Sequence, residues 1–150
     1  MNTPIIAVIG GGSCTPEMAE KAREVGRRIA NKKGILICGG MAGVMQAACQ
    51  GAKEAGGLTI GILPGTSRSD ANPYVDIPIV TGMADARNVI IIRSAHAAIA
   101  VDGEFGTLSE IAYCLQFGIP VISLKSWDIP GVIKVETVEE AVKKAKELLI

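Results

Sequence analysis

Short apolar runs that alternate with helical patterns are the feature that most constrains this fold. The runs are nearly continuous in apolar character, which is typical of strands that are covered on both faces. We predict strands at 5–9, 35–38, 58–63, 77–80, 97–101 and 121–124, and a weaker edge strand at 132–135. Repeated strand–helix alternation predicts an α/β, Rossmann-like, doubly wound domain: a mostly parallel sheet of six or seven strands flanked by helices.

The helices between these runs carry readable start signals. Thr15 is predicted to cap the first helix, with Pro16 at the first helical position, and Thr137 opens the last helix as a capping box with Glu140. The segment 85–95 is apolar nearly all round at its centre, 89–92, which predicts burial on more than one side. We expect the second side to be covered by another subunit, in a homodimer or a higher homo-oligomer.

Length, charge and cysteine usage exclude several classes of protein. A chain of 150 residues is the usual size of one domain, so we expect a single domain over 1–150. Lys plus Arg equals Asp plus Glu at 15 each, which argues against nucleic-acid and membrane-surface partners. Four cysteines without a CxxC pair and a single histidine make a metal site improbable. No signal-peptide layout and no uninterrupted apolar span is found, so we expect a cytoplasmic location.

Glycine-rich turns follow three of the predicted strands. They occupy 10–13, 39–43 and 102–107, and the last of them is predicted to open a helix over 107–117. Because ligands bind beyond the carboxyl ends of the strands in such sheets, these turns favour a phosphate-bearing ligand held by main-chain amides. The alternative is that glycine only permits short turns. The candidate binding residues are Gly11, Gly12, Ser13, Gly39, Gly40, Met41, Gly103, Gly106 and Thr107.

Two common nucleotide signatures are absent. The position that the dinucleotide fingerprint gives to its third glycine is Thr15, and no acidic residue ends the second strand to hold a ribose. No GK[ST] sequence occurs, which excludes a P-loop NTPase. The sequence therefore argues against a dehydrogenase or an ATPase.

Three motifs taken together resemble a known family. Gly39-Gly40-Met41-Ala42-Gly43-Val44-Met45, then Gly56-Gly57 to Ile62-Leu63-Pro64-Gly65, then Gly106-Thr107-Leu108-Ser109-Glu110 occur in this order. The set is similar to the LONELY GUY (LOG) family, once labelled lysine decarboxylases, and to its relatives the molybdenum-cofactor carrier proteins. The resemblance implies a Rossmann-like fold, an oligomer and a phosphorylated ligand.

The resemblance also implies site residues. It makes Glu110 and Arg87 the catalytic pair of an enzyme that hydrolyses the N-glycosidic bond of nucleoside 5′-monophosphates, with Gly103, Gly106 and Thr107 in the phosphate loop. Asp102 and Glu104 depart from the family motif, which has proline and glycine there. Loop acids of this kind are more often solvated, and we expect that of both.

Each candidate residue also has a structural interpretation. Thr107 and Glu110 have the spacing of a capping box, and Arg87 could pair with Asp85 or with a neighbouring subunit. His96 has no acidic or cysteine partner nearby, so a structural role is expected.

These observations leave four functional hypotheses. The first is binding of a phosphorylated small molecule, either a nucleotide or a molybdopterin-type cofactor, with no cofactor required. The alternative is a phosphoribohydrolase that releases free base and ribose 5-phosphate, not a lysine decarboxylase. A carrier that hands its cofactor to an apoenzyme and an interaction module with a vestigial site complete the set.

Overall fold

A parallel seven-stranded sheet forms the middle layer of the protein, which a computed structural model describes over residues 3–149. The strands are β1 (Ile5–Gly10), β2 (Ile35–Cys38), β3 (Thr59–Leu63), β4 (Ile77–Val80), β5 (Ala97–Val101), β6 (Val121–Leu124) and β7 (Ile133–Val135). Their order is β4-β3-β2-β1-β5-β6-β7, and every neighbouring pair is parallel. The predicted doubly wound sheet is confirmed. The strand order reverses at β1, which opens a crevice between the carboxyl ends of β1, β2 and β5.

Helices cover both faces of the sheet. They are α1 (Pro16–Asn31), α2 (Val44–Glu54), α3 (Arg87–Ser94), α4 (Phe105–Phe117) and α5 (Val138–Glu147). Alternate residues of β1 face opposite layers: Ile6 and Val8 pack in the cluster that holds α1, α2 and α5, and Ala7 and Ile9 pack in the cluster that holds α3 and α4. This two-sided burial explains the continuous apolar runs of the sequence.

The predicted caps of α1 and α5 are confirmed. The Thr15 hydroxyl accepts a hydrogen bond from the Met18 amide at 3.2 Å, and the Thr137 hydroxyl accepts one from the Glu140 amide at 3.1 Å. Glycines set the close approach of α1 to α2. A Cβ atom at Gly26 would lie 1.9 Å from the Ala48 carbonyl oxygen, so only glycine fits there.

Helix α4 begins at Phe105, two residues before its predicted start at Thr107. Glu104 occupies the N-cap position without a side-chain capping bond, so the predicted capping box of Thr107 and Glu110 is wrong. The physical reason is the preceding turn. Asp102 and Gly103 both adopt positive φ, 53° and 104°, and this reverses the chain early enough for the helix to start at Phe105. Thr107 and Glu110 consequently lie on the body of the helix.

The segment 85–95 is shorter as a helix than predicted. A 3₁₀ turn, Ala84–Ala86, precedes α3, in which Ile91 and Ile92 are fully buried while Val89 and Ile90 are only half-buried. The covering subunit stays a prediction.

His96 accepts a hydrogen bond from the Ile5 amide on Nδ1 at 3.0 Å, which confirms its structural role. Over residues 3–149, no helix is both long enough and apolar enough to cross a membrane.

Candidate anion-binding site

A cavity of about 380 Å³ opens where the carboxyl ends of β1, β2 and β5 meet. It lies at the crevice where the strand order reverses. Among the candidate residues from the sequence, the structure brings Gly11, Gly12, Ser13, Gly39, Arg87, Gly103, Gly106, Thr107 and Glu110 to its wall. Gly40 and Met41 are not among the lining residues; the Gly40 carbonyl accepts from the Asn72 amide at 2.8 Å and the Met41 carbonyl from the Asn72 side chain at 2.8 Å.

The amino-terminal end of α4 forms one wall of this cavity. Gly106 and Thr107 line it, and within residues 3–149 the amides of Phe105, Gly106 and Thr107 donate no hydrogen bond. Free amides and the positive end of a helix dipole together favour an anionic ligand. The amides of Gly12 and Ser13, on the turn after β1, are likewise without a partner in the described part of the chain.

Two side chains from the turn after β6 hold the loop that precedes α4. The Ser126 hydroxyl donates to the Asp102 carbonyl at 2.6 Å, and the Trp127 indole N–H donates to the Glu104 carbonyl at 3.0 Å. Gly103 allows the loop to close on the helix, because a Cβ atom there would lie 2.2 Å from the Thr107 hydroxyl oxygen. These contacts hold the loop, and with it the free amides at the start of α4, in place.

Arg87 is the first residue of α3 and is only 8% exposed. Its Nε donates to the Ile62 carbonyl at 2.9 Å, and one Nη donates to the Asn88 side-chain oxygen. A Cβ atom at Gly39 would lie 2.7 Å from the other Nη, so the guanidinium crosses the ends of β3 and β2 only because residue 39 is glycine. A guanidinium carries five N–H donors, and those left over are available to a ligand.

Glu110 lies in the second turn of α4 and is 9% exposed. Within residues 3–149 its carboxyl accepts no hydrogen bond, and it forms no ion pair at the 4.0 Å limit. Burial raises the pKa of Glu110 to about 8, against the opposing effect of Arg87. The carboxyl is consequently mostly protonated at neutral pH, and it lines the same cavity as Arg87 without a hydrogen bond to it.

Three more acids line the cavity: Asp85, Asp102 and Glu104. Glu104 is exposed, as expected of a solvated loop acid, whereas Asp102 is half-buried, and both residues line the cavity. Sequence reasoning also missed Asn88 and Asp85 as lining residues. Their position beside Arg87 in the chain is the signal that could have identified them. Within the residues that the structure describes, no group of three His, Cys, Asp or Glu side chains is placed to hold a metal ion.

The fold and the cavity define a Rossmann-like protein with a glycine-lined site at the switch point of its sheet. The chain belongs to the SLOG cluster4 family, whose model matches residues 3–150. The family resemblance stated from the sequence is thereby confirmed. Comparisons with individual proteins show which members of related families this chain is similar to.

Two solved structures and one curated relative are similar to this chain. The molybdenum cofactor binding protein of Rippkaea orientalis is 38% identical with a TM-score of 0.95, over 100% of this chain and 99% of that one. The Moco carrier protein of Chlamydomonas reinhardtii is also 38% identical, with a TM-score of 0.90 over 99% and 98%. The cytokinin riboside 5′-monophosphate phosphoribohydrolase of Mycobacterium tuberculosis is 31% identical over 74% of this chain and 64% of that enzyme.

Proposed function

We propose that the protein binds a phosphorylated pterin cofactor of the molybdopterin class and carries it without turnover. The observation that carries this proposal is the wall of unpaired amides at the start of α4, which lines the same cavity as Arg87. The similarity to a molybdenum cofactor binding protein over the whole chain supports it.

The proposed contacts follow from the chemistry of each wall. The amides of Gly106 and Thr107, with those of Gly12 and Ser13, bind phosphate oxygens, and Arg87 adds a charged donor. A cavity of about 380 Å³ is within the range of small-molecule sites. In this proposal the pterin is cargo, so no resident cofactor is needed.

We also propose a cytoplasmic homodimer or higher homo-oligomer. The half-buried Val89 and Ile90 of α3 are the apolar surface that a second copy would cover. Light scattering tests this assembly independently of ligand binding.

The test of binding uses two substitutions of one residue. A Cβ atom at Gly106 would meet no atom within 4 Å, so Gly106→Asp and Gly106→Asn start from open space. The aspartate places a negative charge at the phosphate position, whereas asparagine has the same size and no charge. Titration calorimetry with isolated molybdopterin should show saturable binding to the wild type, at least tenfold weaker binding to Gly106→Asp, and a smaller loss for Gly106→Asn. Equal affinity of both variants, or no binding by the wild type, would overturn the proposal.

The second candidate function is nucleoside 5′-monophosphate hydrolysis. Its support is the relative from M. tuberculosis, together with a buried carboxyl whose pKa of about 8 suits a general acid at neutral pH. The test is release of free base from AMP, measured by chromatography. Release that Glu110→Gln abolishes supports hydrolysis, and the absence of release by the wild type excludes it for this substrate.

A further inference from the structure

Free amides and carboxyl groups line the same cavity. The amides belong to the start of α4 and to the turn after β1, and the acidic lining residues are Asp85, Asp102, Glu104 and Glu110. Arg87 is the single cationic side chain among the lining residues, and two of its groups are already bonded to Ile62 and Asn88. A ligand that is anionic throughout would therefore meet repulsion from the acidic lining residues.

Glu110 is an independent sign that the cavity is built for a ligand. Its side chain is largely buried, it lines the cavity, and it has no hydrogen-bond partner in the described chain. Its carboxyl oxygens are open to the cavity, because no buried side-chain oxygen or nitrogen within residues 3–149 lacks a partner. A ligand can therefore donate to this carboxyl without displacing a protein partner. Asp102 and Glu104, close by, stand where the family motif has proline and glycine.

We propose that Glu110 binds the donor edge of a 2-amino-4-oxo heterocycle, whose ring N–H and exocyclic amine both donate to its carboxylate. This inference rests on the proposed function and names the ring that the site selects. Pterins and guanine share that edge. Adenine presents a ring-nitrogen acceptor and a C–H group in the same place, which leaves both carboxylate oxygens without a donor.

The remaining groups around Glu110 fit this role. Arg87 of α3 faces it from one side and stabilises the charged carboxylate, while the thiols of Cys38 on β2 and Cys114 on α4 lie close enough to sense its charge. Two donated hydrogen bonds favour the ionised form of the carboxyl. Asp102 and Glu104 stand nearer the solvent and add negative potential that attracts the amine.

The experiment compares ligands that differ only in this edge. Titration calorimetry at pH 8, where about half of Glu110 is ionised, measures affinities for GMP, IMP, AMP and ribose 5-phosphate. IMP lacks only the exocyclic amine of GMP. The wild type should bind GMP at least about tenfold more tightly than IMP, since one charge-assisted hydrogen bond is lost. Neopterin monophosphate should compete with GMP.

Two variants test the residues behind the discrimination. Glu110→Gln, which is isosteric, should reduce the GMP-to-IMP affinity ratio to about 1–2, because its amide offers only one acceptor. Asp102→Gly keeps the positive φ of the loop and should reduce the ratio by a smaller factor.

Each outcome decides between the two proposals. If ribose 5-phosphate binds but GMP and IMP bind equally, the ring inference is overturned and phosphate binding stands. Tighter binding of AMP than of GMP also overturns it. If none of the phosphorylated probes binds, neopterin monophosphate included, the proposed function fails together with the inference.

Discussion

Two glycine-rich loops of this protein have the same sequence signature and different surroundings. The loop after β2, residues 39–43, contributes only Gly39 to the cavity wall. A Cβ atom at its Gly43 would lie 2.3 Å from the Gly11 carbonyl oxygen, and one at Gly40 would lie 2.6 Å from the Leu63 side chain. The loop after β5, residues 102–107, lines the cavity with five of its six residues, and nothing lies within 4 Å of a Cβ atom at Gly106.

The difference between the two loops shows what can be inferred from a glycine-rich turn. Glycine indicates that something approaches the backbone closely, and the approaching group is not encoded in the glycines themselves. After β2 that group is the protein's own backbone and the Arg87 side chain. After β5 the Thr107 side chain approaches Gly103, whereas Gly106 is left open to solvent and, in our proposal, to a ligand.

The largest expected effect is on the free energy of unfolding, which a substitution in the β2 loop should lower far more than one in the β5 loop. Gly43 has φ 68° and ψ −131°, a conformation that L side chains rarely adopt, and an alanine there would also clash with backbone. Gly43→Ala should lower the free energy of unfolding by about 3 kcal/mol or more. Its matched control, Gly106→Ala, should leave it unchanged or raise it by up to about 1 kcal/mol. Urea denaturation measures both, and equal losses would refute the structural distinction.

The second prediction concerns Glu110, on the helix that follows the β5 loop. Its pKa rises from an ordinary value near 4.5 in the unfolded chain to about 8 in the fold, so the folded state holds more protons between these values. Stability from this group is present below pH 4.5 and is lost as the pH rises to 8. Glu110→Gln should therefore stabilise the protein on the order of 2 kcal/mol at pH 8 relative to its effect at pH 5.

Denaturation of the wild type and Glu110→Gln at both pH values measures this difference. Glu140→Gln, at an exposed glutamate of α5, is the control for the substitution itself. A constant difference between wild type and Glu110→Gln would show that Glu110 is ionised in the fold.

A smaller effect is expected at Asp102, where the β5 loop has a positive φ of 53° without glycine. Glycine adopts this conformation freely, whereas alanine resists it. Asp102→Gly should therefore be more stable than Asp102→Ala by about 1 kcal/mol. Thermal unfolding of the pair checks the sign, and a more stable alanine variant would contradict the loop conformation.

The strands of the sheet could be predicted from the sequence because the apolar runs that mark them are local. Four strands, β2, β4, β5 and β6, have the predicted bounds, since continuous apolar runs end where the chain leaves the buried layer. The start of α4 was not readable. It depends on the left-handed backbone of Asp102 and Gly103, and the residue types alone do not show where this turn lets the helix begin.

The site was readable only in part. The glycine turns predicted which edge of the sheet holds it, and the family resemblance supplied Arg87 and Glu110. The hydrogen bond from the Arg87 guanidinium to the Ile62 carbonyl could not be predicted, because it joins α3 to β3 across 25 residues of the chain. Likewise, the burial of Glu110 results from tertiary packing, whereas its spacing from Thr107 matched a cap.

The central claim is that main-chain amides of the turns after β1 and β5 bind phosphate. Amide ¹H–¹⁵N spectra recorded during titration with ribose 5-phosphate test it residue by residue. The account predicts the largest shifts at Gly12, Ser13, Gly106 and Thr107, with Gly40 and Met41 nearly unmoved. Shifts concentrated at Gly40 and Met41, or no saturable shift at any of these amides, would contradict it.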